Sequence, residues 1–227
     1  MIIKFRIMEK IKNLQDEVKA VLAIANKRNE ISKRVNYVPD YFLKQSDEWI
    51  DEFIKQCFLE YDSSITEANF VFLPEYKKLR EYLKNTQGKG LLLSGGPGVG
   101  KSIILKKLIP TVYALRNLEV FPVSCYDLHK IINPKESNET VFDRVSQRRY
   151  ILLDEIGVEI NVNIYGEKFN PVEWLINASE DNNKALFATT NLNDEMLYAL
   201  YGKRAFDRLI KKVTKIEFVK KSSSLRG

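Results

Sequence analysis

The sequence predicts a doubly wound α/β fold over its larger, C-terminal part: a five-stranded parallel sheet flanked by helices, preceded by a small helical region. Three observations carry that prediction. Five short apolar runs, at 90–94, 118–123, 150–153, 185–190 and 214–218, have the length of strands, and longer segments with helical spacing separate them. The first run leads through the turn Gly95-Gly96-Pro97-Gly98-Val99-Gly100-Lys101-Ser102 into a helix. The third ends abruptly in two carboxylates, Asp154 and Glu155. Strands joined through helices run parallel, and both faces of a parallel sheet need a cover.

Composition sets the bounds. The 227 residues suit one moderate domain and an appendage, and 44% hydrophobic residues can fill an ordinary core. A net charge of +6 is a mild bias towards polyanions and equally a solubility device. Only Cys57 and Cys125 are cysteines, far apart in sequence and in no paired spacing, which supports neither a disulfide framework nor a four-ligand zinc site. The single histidine, His129, reads as a packing or surface residue. No apolar run reaches the roughly 18 residues that span a bilayer, and charge interrupts the N-terminus too early for a signal peptide. A cytoplasmic protein without a membrane segment is the expectation.

Residues 1–62 read as the helical region and 63–227 as the sheet domain. Ile7, Ile11, Leu14, Val18, Val21 and Ala25 form a narrow helical seam, which either packs on the body of the protein or docks on a partner. Basic Lys27, Arg28, Lys33 and Arg34 follow, and Pro39 marks a break. A second helix is expected from Asp47 to about Tyr61, burying Trp49, Ile50, Phe53, Ile54, Cys57 and Phe58. Pro74 opens a third, with Tyr76, Leu79, Tyr82 and Leu83 on one side.

The turn after the first strand fits G-x-x-x-x-G-K-[ST] at every fixed position, in the strand-to-helix context that this phosphate-binding motif requires. Glycines let backbone N–H groups approach an anion, and the helix adds its positive dipole end. A triphosphate with Mg²⁺ is the expected occupant. The binding set is Gly95, Gly96, Pro97, Gly98, Val99, Gly100, Lys101, Ser102 and the next residue, Ile103. Lys101 would reach the β- and γ-phosphates, and the Ser102 hydroxyl would hold Mg²⁺.

The helix that follows is expected to reach about Asn117. Strand 118–123 stops at the capping signal Ser124-Cys125-Tyr126-Asp127, and a short helix passes through Leu128, Ile131 and Ile132. After Asn133-Pro134 comes a polar stretch, then a helix over 141–149 that offers Arg144, Arg148 and Arg149 to a partner or to solvent. Where the third strand ends, Asp154 would hold the Mg²⁺ hydration shell and Glu155 would orient and deprotonate the attacking water. Residues 157–169 read as a polar loop. Asn170-Pro171-Val172-Glu173 then caps a helix through Trp174, Leu175 and Ile176.

Asn191 stands at the carboxyl end of strand 185–190, the end that faces the ligand crevice of a parallel sheet. It either hydrogen-bonds the γ-phosphate or lytic water, or simply turns the chain, although Asn193 can serve as the next helix cap. Gly202 closes one helix, and the next carries Arg204 and Arg208 four apart on one face. Strand 214–218 alternates as an edge strand should, and a basic tail follows from Lys220.

Together, Gly95 to Ser102, Leu152-Leu153-Asp154-Glu155-Ile156-Gly157, Tyr165-Gly166, Ala188-Thr189-Thr190-Asn191-Leu192 and Tyr201-Gly202-Lys203-Arg204-Ala205-Phe206-Asp207-Arg208-Leu209 resemble the AAA+ ATPase module of the DnaC/DnaI-type replicative helicase loaders. Transposition helpers of the IstB type are close relatives. The resemblance covers about 65–226. It implies that Asp154 and Glu155 are the Walker B pair and that Asn191 is the sensor 1 residue. It further implies that the Arg204/Arg208 helix supplies an arginine finger to a neighbouring subunit's ATP, with Arg208 as first choice. Such a finger makes hydrolysis depend on assembly.

The resemblance also implies ATP-dependent self-association, binding of single-stranded DNA and an N-terminal region that grips a DnaB-type helicase, with Arg144, Arg148 and Arg149 as candidate DNA contacts. The chain departs from its relatives in places. It lacks the paired cysteines of zinc-bearing loaders, so a purely helical helicase-binding region is implied. Ser179-Glu180 stands where relatives carry an arginine, and Ser224-Leu225-Arg226 matches the usual Ser-Phe-Arg ending loosely. An ATP-dependent loader of a replicative helicase onto single-stranded DNA is the leading reading. An IstB-like transposition regulator is the alternative; for a small-molecule kinase the sequence offers no segment that would form an acceptor pocket or an arginine-rich lid.

Overall fold

The sheet is built from the expected apolar runs. Along the chain its strands are β1 (Gly90–Gly95), β2 (Pro122–Ser124) and β3 (Tyr150–Asp154); after a small ribbon of β4 (Val162–Ile164) and β5 (Glu167–Phe169) come β6 (Ala185–Thr190) and β7 (Val213–Phe218). The coordinates are a computed structural model that describes residues 14–29, 42–115, 118, 120, 122–131, 147–164, 167–181 and 184–219. Five strands pair in the order β2-β3-β6-β1-β7, every pair parallel. Because β6 lies between β3 and β1, the residue that follows β6 emerges between the ends of the other two. That order creates the crevice considered below.

The helices are α1 (Leu14–Asn29), α2 (Asp47–Tyr61) and α3 (Glu75–Lys84), then α4, which runs as Lys101–Ile103, a π-helical turn Ile104–Leu108 and Ile109–Ala114. They are followed by a 3₁₀ segment Cys125–Ile131, α5 (Pro171–Asp181) and α6 (Asp194–Lys212). Contacts divide the chain into two units: residues up to Asn85 with Lys106–Val120, and Thr86–Leu105 with Phe121–Ser224.

In the first unit, Trp49, Ile50, Phe53, Ile54, Cys57 and Phe58 of α2 are all buried, as their spacing requires. Trp49 stacks on Phe53 at 5.5 Å, and Phe42 meets both rings edge-on. Arg80 of α3 pairs with Asp47 and Asp51 of α2 at 3.2 and 2.6 Å, and Lys84 also reaches Asp47. The seam of α1 turns by one residue from the expectation. Val18 and Leu22 are fully buried, whereas Val21 is only partly so, because an i, i+4 pair points to one side more squarely than the three-residue step chosen from sequence. Ile7, Ile11, Lys33, Arg34 and Pro39 lie outside the described residues.

In the second unit the core gathers Leu92 of β1, Ile151 and Leu153 of β3, Leu186 and Ala188 of β6, Leu175 and Ile176 of α5, and Leu197, Tyr201, Ala205 and Leu209 of α6. Four expectations change. Strand 118–123 is displaced to Pro122–Ser124; it forms the sheet edge, where a proline with no N–H is tolerated. Helix α4 ends at Ala114, short of Asn117, and widens into the π turn just before Pro110. A proline inside a helix removes an N–H and crowds the preceding turn, and the π turn relieves the crowding. The polar loop 157–169 contains the antiparallel β4–β5 ribbon. The short helix after Ser124 is a 3₁₀ segment. Gly202, at φ 72° and ψ 168°, breaks α6 into two arms, as the sequence suggests. The helix expected over 141–149 does not reach Arg148 and Arg149, which lead into β3 without helical structure; residues 132–146 with Arg144, the Tyr165-Gly166 pair and the tail lie outside the described residues. Among those described, no helix is long and apolar enough to cross a membrane.

Candidate active site

The glycine-rich turn joins β1 to α4 through residues that only glycine adopts readily: Gly95, Gly98 and Gly100 have φ of 133°, 84° and 85°. Gly100 is the left-handed residue at the start of α4, directly before Lys101. The Lys101 side chain is buried, and its Nζ donates to the carbonyls of Gly95 and Gly96, both at 2.7 Å, and to Asn191 Oδ1 at 2.9 Å. Burial holds the ammonium below the ordinary lysine pKa, partly offset by the charges of Glu155 and Asp154.

Ser102, one residue on, donates its hydroxyl to Asp154 Oδ1 at 3.1 Å. Asp154 is buried at the end of β3, and its Oδ1 also accepts from Thr189 Oγ1 of β6 at 2.7 Å. The next residue, Glu155, has an exposed side chain and a left-handed backbone, φ 63°, which costs a non-glycine residue about 1 kcal/mol or more. Its N–H is held by Thr189 Oγ1 at 2.8 Å, and the N–H of Ile156 by the Thr189 carbonyl at 2.8 Å. Thr190 Oγ1 donates to the Ile156 carbonyl. Strand β6 therefore fixes the strained turn that presents Glu155.

Lys101, Ser102, Asp154 and Asn191 thus meet in one place, with Glu155 at its rim. Asn193, not Asn191, caps α6 by accepting from the Met196 N–H at 2.8 Å, so Asn191 has no capping duty. The two arginines differ: Arg204 is exposed and makes no hydrogen bond or ion pair among the described residues, whereas Arg208 is half-buried and donates to Asn177 Oδ1 of α5 at 2.8 Å. At Ser179-Glu180, Ser179 is buried and donates to the Ile176 carbonyl, and Glu180 pairs with Lys211 and Lys212 at 2.7 and 3.6 Å.

The roles of two residues are not visible in the sequence. Thr189 joins both carboxylate residues, a role visible only once the β3–β6 pairing places it beside Asp154. Glu159 accepts from Gly157 N–H, Asn170 Nδ2 and Tyr201 OH; burial and the Glu159 charge raise the Tyr201 pKa far out of the working range.

The donor set suits a magnesium nucleotide. Positive-φ glycines line the turn, a buried ammonium stands among neutral acceptors it can exchange for an anion, and a hydroxyl and a carboxylate converge as the hard oxygen ligands that Mg²⁺ prefers.

The family described as "ATPase family associated with various cellular activities (AAA)" matches residues 91–213, more than half of the chain. Among solved structures, the DnaC helicase loader superposes with a TM-score of 0.55 at 16% identity, covering 70% of this chain and 99% of that one. DnaI gives a TM-score of 0.47 at 19% identity over 80% and 94% of the two chains, too low a score to carry an argument. At such identity the DnaC match shows a shared fold. No curated protein sequence matches significantly.

Proposed function

This chain belongs to the AAA family of ATPases, and on that premise we propose that it is an ATP-dependent loader that delivers a hexameric DnaB-type replicative helicase to single-stranded DNA. The observation that carries the proposal is the convergence of Lys101, Ser102, Asp154 and Asn191 in a fold shared with a helicase loader over nearly the whole of that protein.

In this reading the glycine turn, Gly95 to Gly100, with Ser102 and Ile103, cradles the phosphates of ATP by its N–H groups. Lys101 releases the carbonyls of Gly95 and Gly96 and takes phosphate oxygens instead, while Asn191 keeps the ammonium aimed. Ser102 and Asp154 would hold Mg²⁺, which when bound neutralises charge on the phosphates. Glu155 accepts the proton that water loses as its oxygen attacks the γ-phosphorus and ADP departs. The Asn191 amide N–H₂ group donates to the γ-phosphate or to that water. An arginine from a neighbouring copy, Arg204 or Arg208, neutralises the charge on the transferring group, so turnover requires self-association.

Residues 1–62 are assigned to the helicase, and single-stranded DNA to a basic surface that includes Arg148 and Arg149. The test uses the full chain with a DnaB-type hexamer. ATP-dependent co-purification and faster helicase delivery to single-stranded DNA are expected. Absence of both, or capture of a transposase in place of a helicase from the native host, overturns the loader assignment.

A further inference from the structure

The polar contacts at Glu159 reach beyond its own loop. Its carboxylate lies two residues past Gly157 and receives three donors from three elements: the Gly157 N–H at 2.7 Å, Asn170 Nδ2 at 3.1 Å and Tyr201 OH at 2.7 Å. Each donor sits at a structural joint. Gly157, φ 102°, ends the strained turn that begins with Glu155, φ 63°. A side chain at Gly157 would meet Leu192 Cδ1 at 2.4 Å, so the turn also fits closely against the segment after β6. Asn170 caps α5 by accepting from the N–H groups of Val172 and Glu173, both at 2.9 Å, and it closes the base of the β4–β5 ribbon. Tyr201, 4% exposed, immediately precedes Gly202, the kink from which the arm bearing Arg204 and Arg208 departs.

The N–H groups of residues 155, 156 and 157 are therefore all held, the first two by Thr189 and the third by Glu159. A turn with two left-handed residues in three positions persists only where its surroundings over-determine it. The Thr189 bonds come from the sheet and cannot report on α6. The Glu159 bonds do, because one carboxylate oxygen is shared with Tyr201 and the other holds Gly157.

We propose that Glu159 is a positioning residue that couples the backbone carrying Glu155 to the α6 kink carrying Arg204 and Arg208, so that the water-activating carboxylate and the arginine offered to the next subunit are set together. The coupling rests on the reading of Glu155 as base and of the α6 arm as finger-bearing. A charge-assisted carboxylate network of this kind gives more than the sum of its pairs when every donor is satisfied. A subunit docking against the α6 arm shifts Tyr201 and, through Glu159, the turn that aims Glu155.

The test compares ATP turnover, binding of a fluorescent ATP analogue and thermal unfolding for Glu159→Gln, Tyr201→Phe, the double variant and Glu155→Gln. Glu159→Gln keeps the size and an acceptor for Tyr201 but presents an N–H₂ group to the Gly157 N–H. Its kcat is expected to fall about tenfold, with analogue affinity essentially unchanged and the unfolding midpoint lowered by a few degrees for the lost Gly157 bond. Tyr201→Phe removes one oxygen, leaves the Gly157 bond in place and should lose most of the rise in specific turnover with protein concentration. The double variant should be no worse than the poorer single one, since both cut one path. Unchanged kcat in Glu159→Gln beside an inactive Glu155→Gln overturns the coupling and leaves the base assignment standing. Analogue affinity falling in step with kcat reduces Glu159 to holding the site together and also overturns it. Full turnover in Glu155→Gln removes the base assignment itself.

Discussion

Thr189→Val is the sharpest single perturbation of the site. Valine has nearly the shape of threonine and suits a fully buried strand position, so it opens no cavity and loses no strand preference. It deletes only the hydroxyl. The Glu155 N–H then lacks its acceptor, and Asp154 Oδ1 keeps the Ser102 hydroxyl at 3.1 Å but loses the closer donor at 2.7 Å. An unsatisfied donor costs about 1–3 kcal/mol and a hydrogen bond to a charged group contributes about 1.5–3 kcal/mol, so a loss of stability of about 3 kcal/mol follows. If about half of that is felt in the transition state through a looser Glu155, kcat falls roughly tenfold or more. Urea unfolding and a phosphate-release assay measure the two quantities. Thr189→Ser keeps the hydroxyl and should restore turnover, losing only about 1 kcal/mol for the missing methyl. Wild-type turnover in Thr189→Val, or a stability change below about 0.5 kcal/mol, refutes the role given to this hydroxyl.

Three further outcomes are expected. Burial depresses the Lys101 pKa in the folded chain, so just below the ordinary value of 10.5 the unfolded chain binds more protons and stability rises with pH; that rise should be missing from Lys101→Met in urea unfolding at alkaline pH, together with ATP binding. Arg204→Ala should leave unfolding within about 0.5 kcal/mol, as for an exposed residue, while Arg208→Ala loses its bond to Asn177 and about 1 kcal/mol; removal of whichever serves as finger lowers turnover about 10³-fold. Gly202→Ala meets no atom within 4 Å, yet φ 72° with ψ 168° is a glycine conformation; a cost of about 1–3 kcal/mol should appear in unfolding from backbone strain alone.

The sheet was legible where strands are long and apolar on both faces. Strands 90–95 and 185–190 bury nearly every residue, so their runs stand out in the sequence. The edge strand Pro122–Ser124 is only half-buried, and its weak signal drew the expectation four residues early. The β4–β5 ribbon was missed because strands of three residues give too few alternations to register. At the site, Lys101, Ser102, Asp154 and Asn191 were legible because fixed spacing from a strand end defines each of them. Thr189 and Glu159 were not, since their importance lies in partners 34 and 42 positions away, Glu155 and Tyr201, which only the folded register brings near. Pro110 lies inside a helix pattern that stays apolar through it, and the π turn is the local cost of that compromise.

In the proposed mechanism one copy supplies Lys101, Ser102, Asp154 and Glu155 while the next supplies the arginine. Mixing Glu155→Gln with the Arg204→Ala/Arg208→Ala double variant tests it most directly, because each lacks what the other retains. Both should be inactive alone, and an equal mixture should regain turnover at about a quarter of its head-to-tail interfaces. Turnover by the arginine double variant alone, or a mixture as inactive as its parts although both assemble with ATP, contradicts a site shared between subunits.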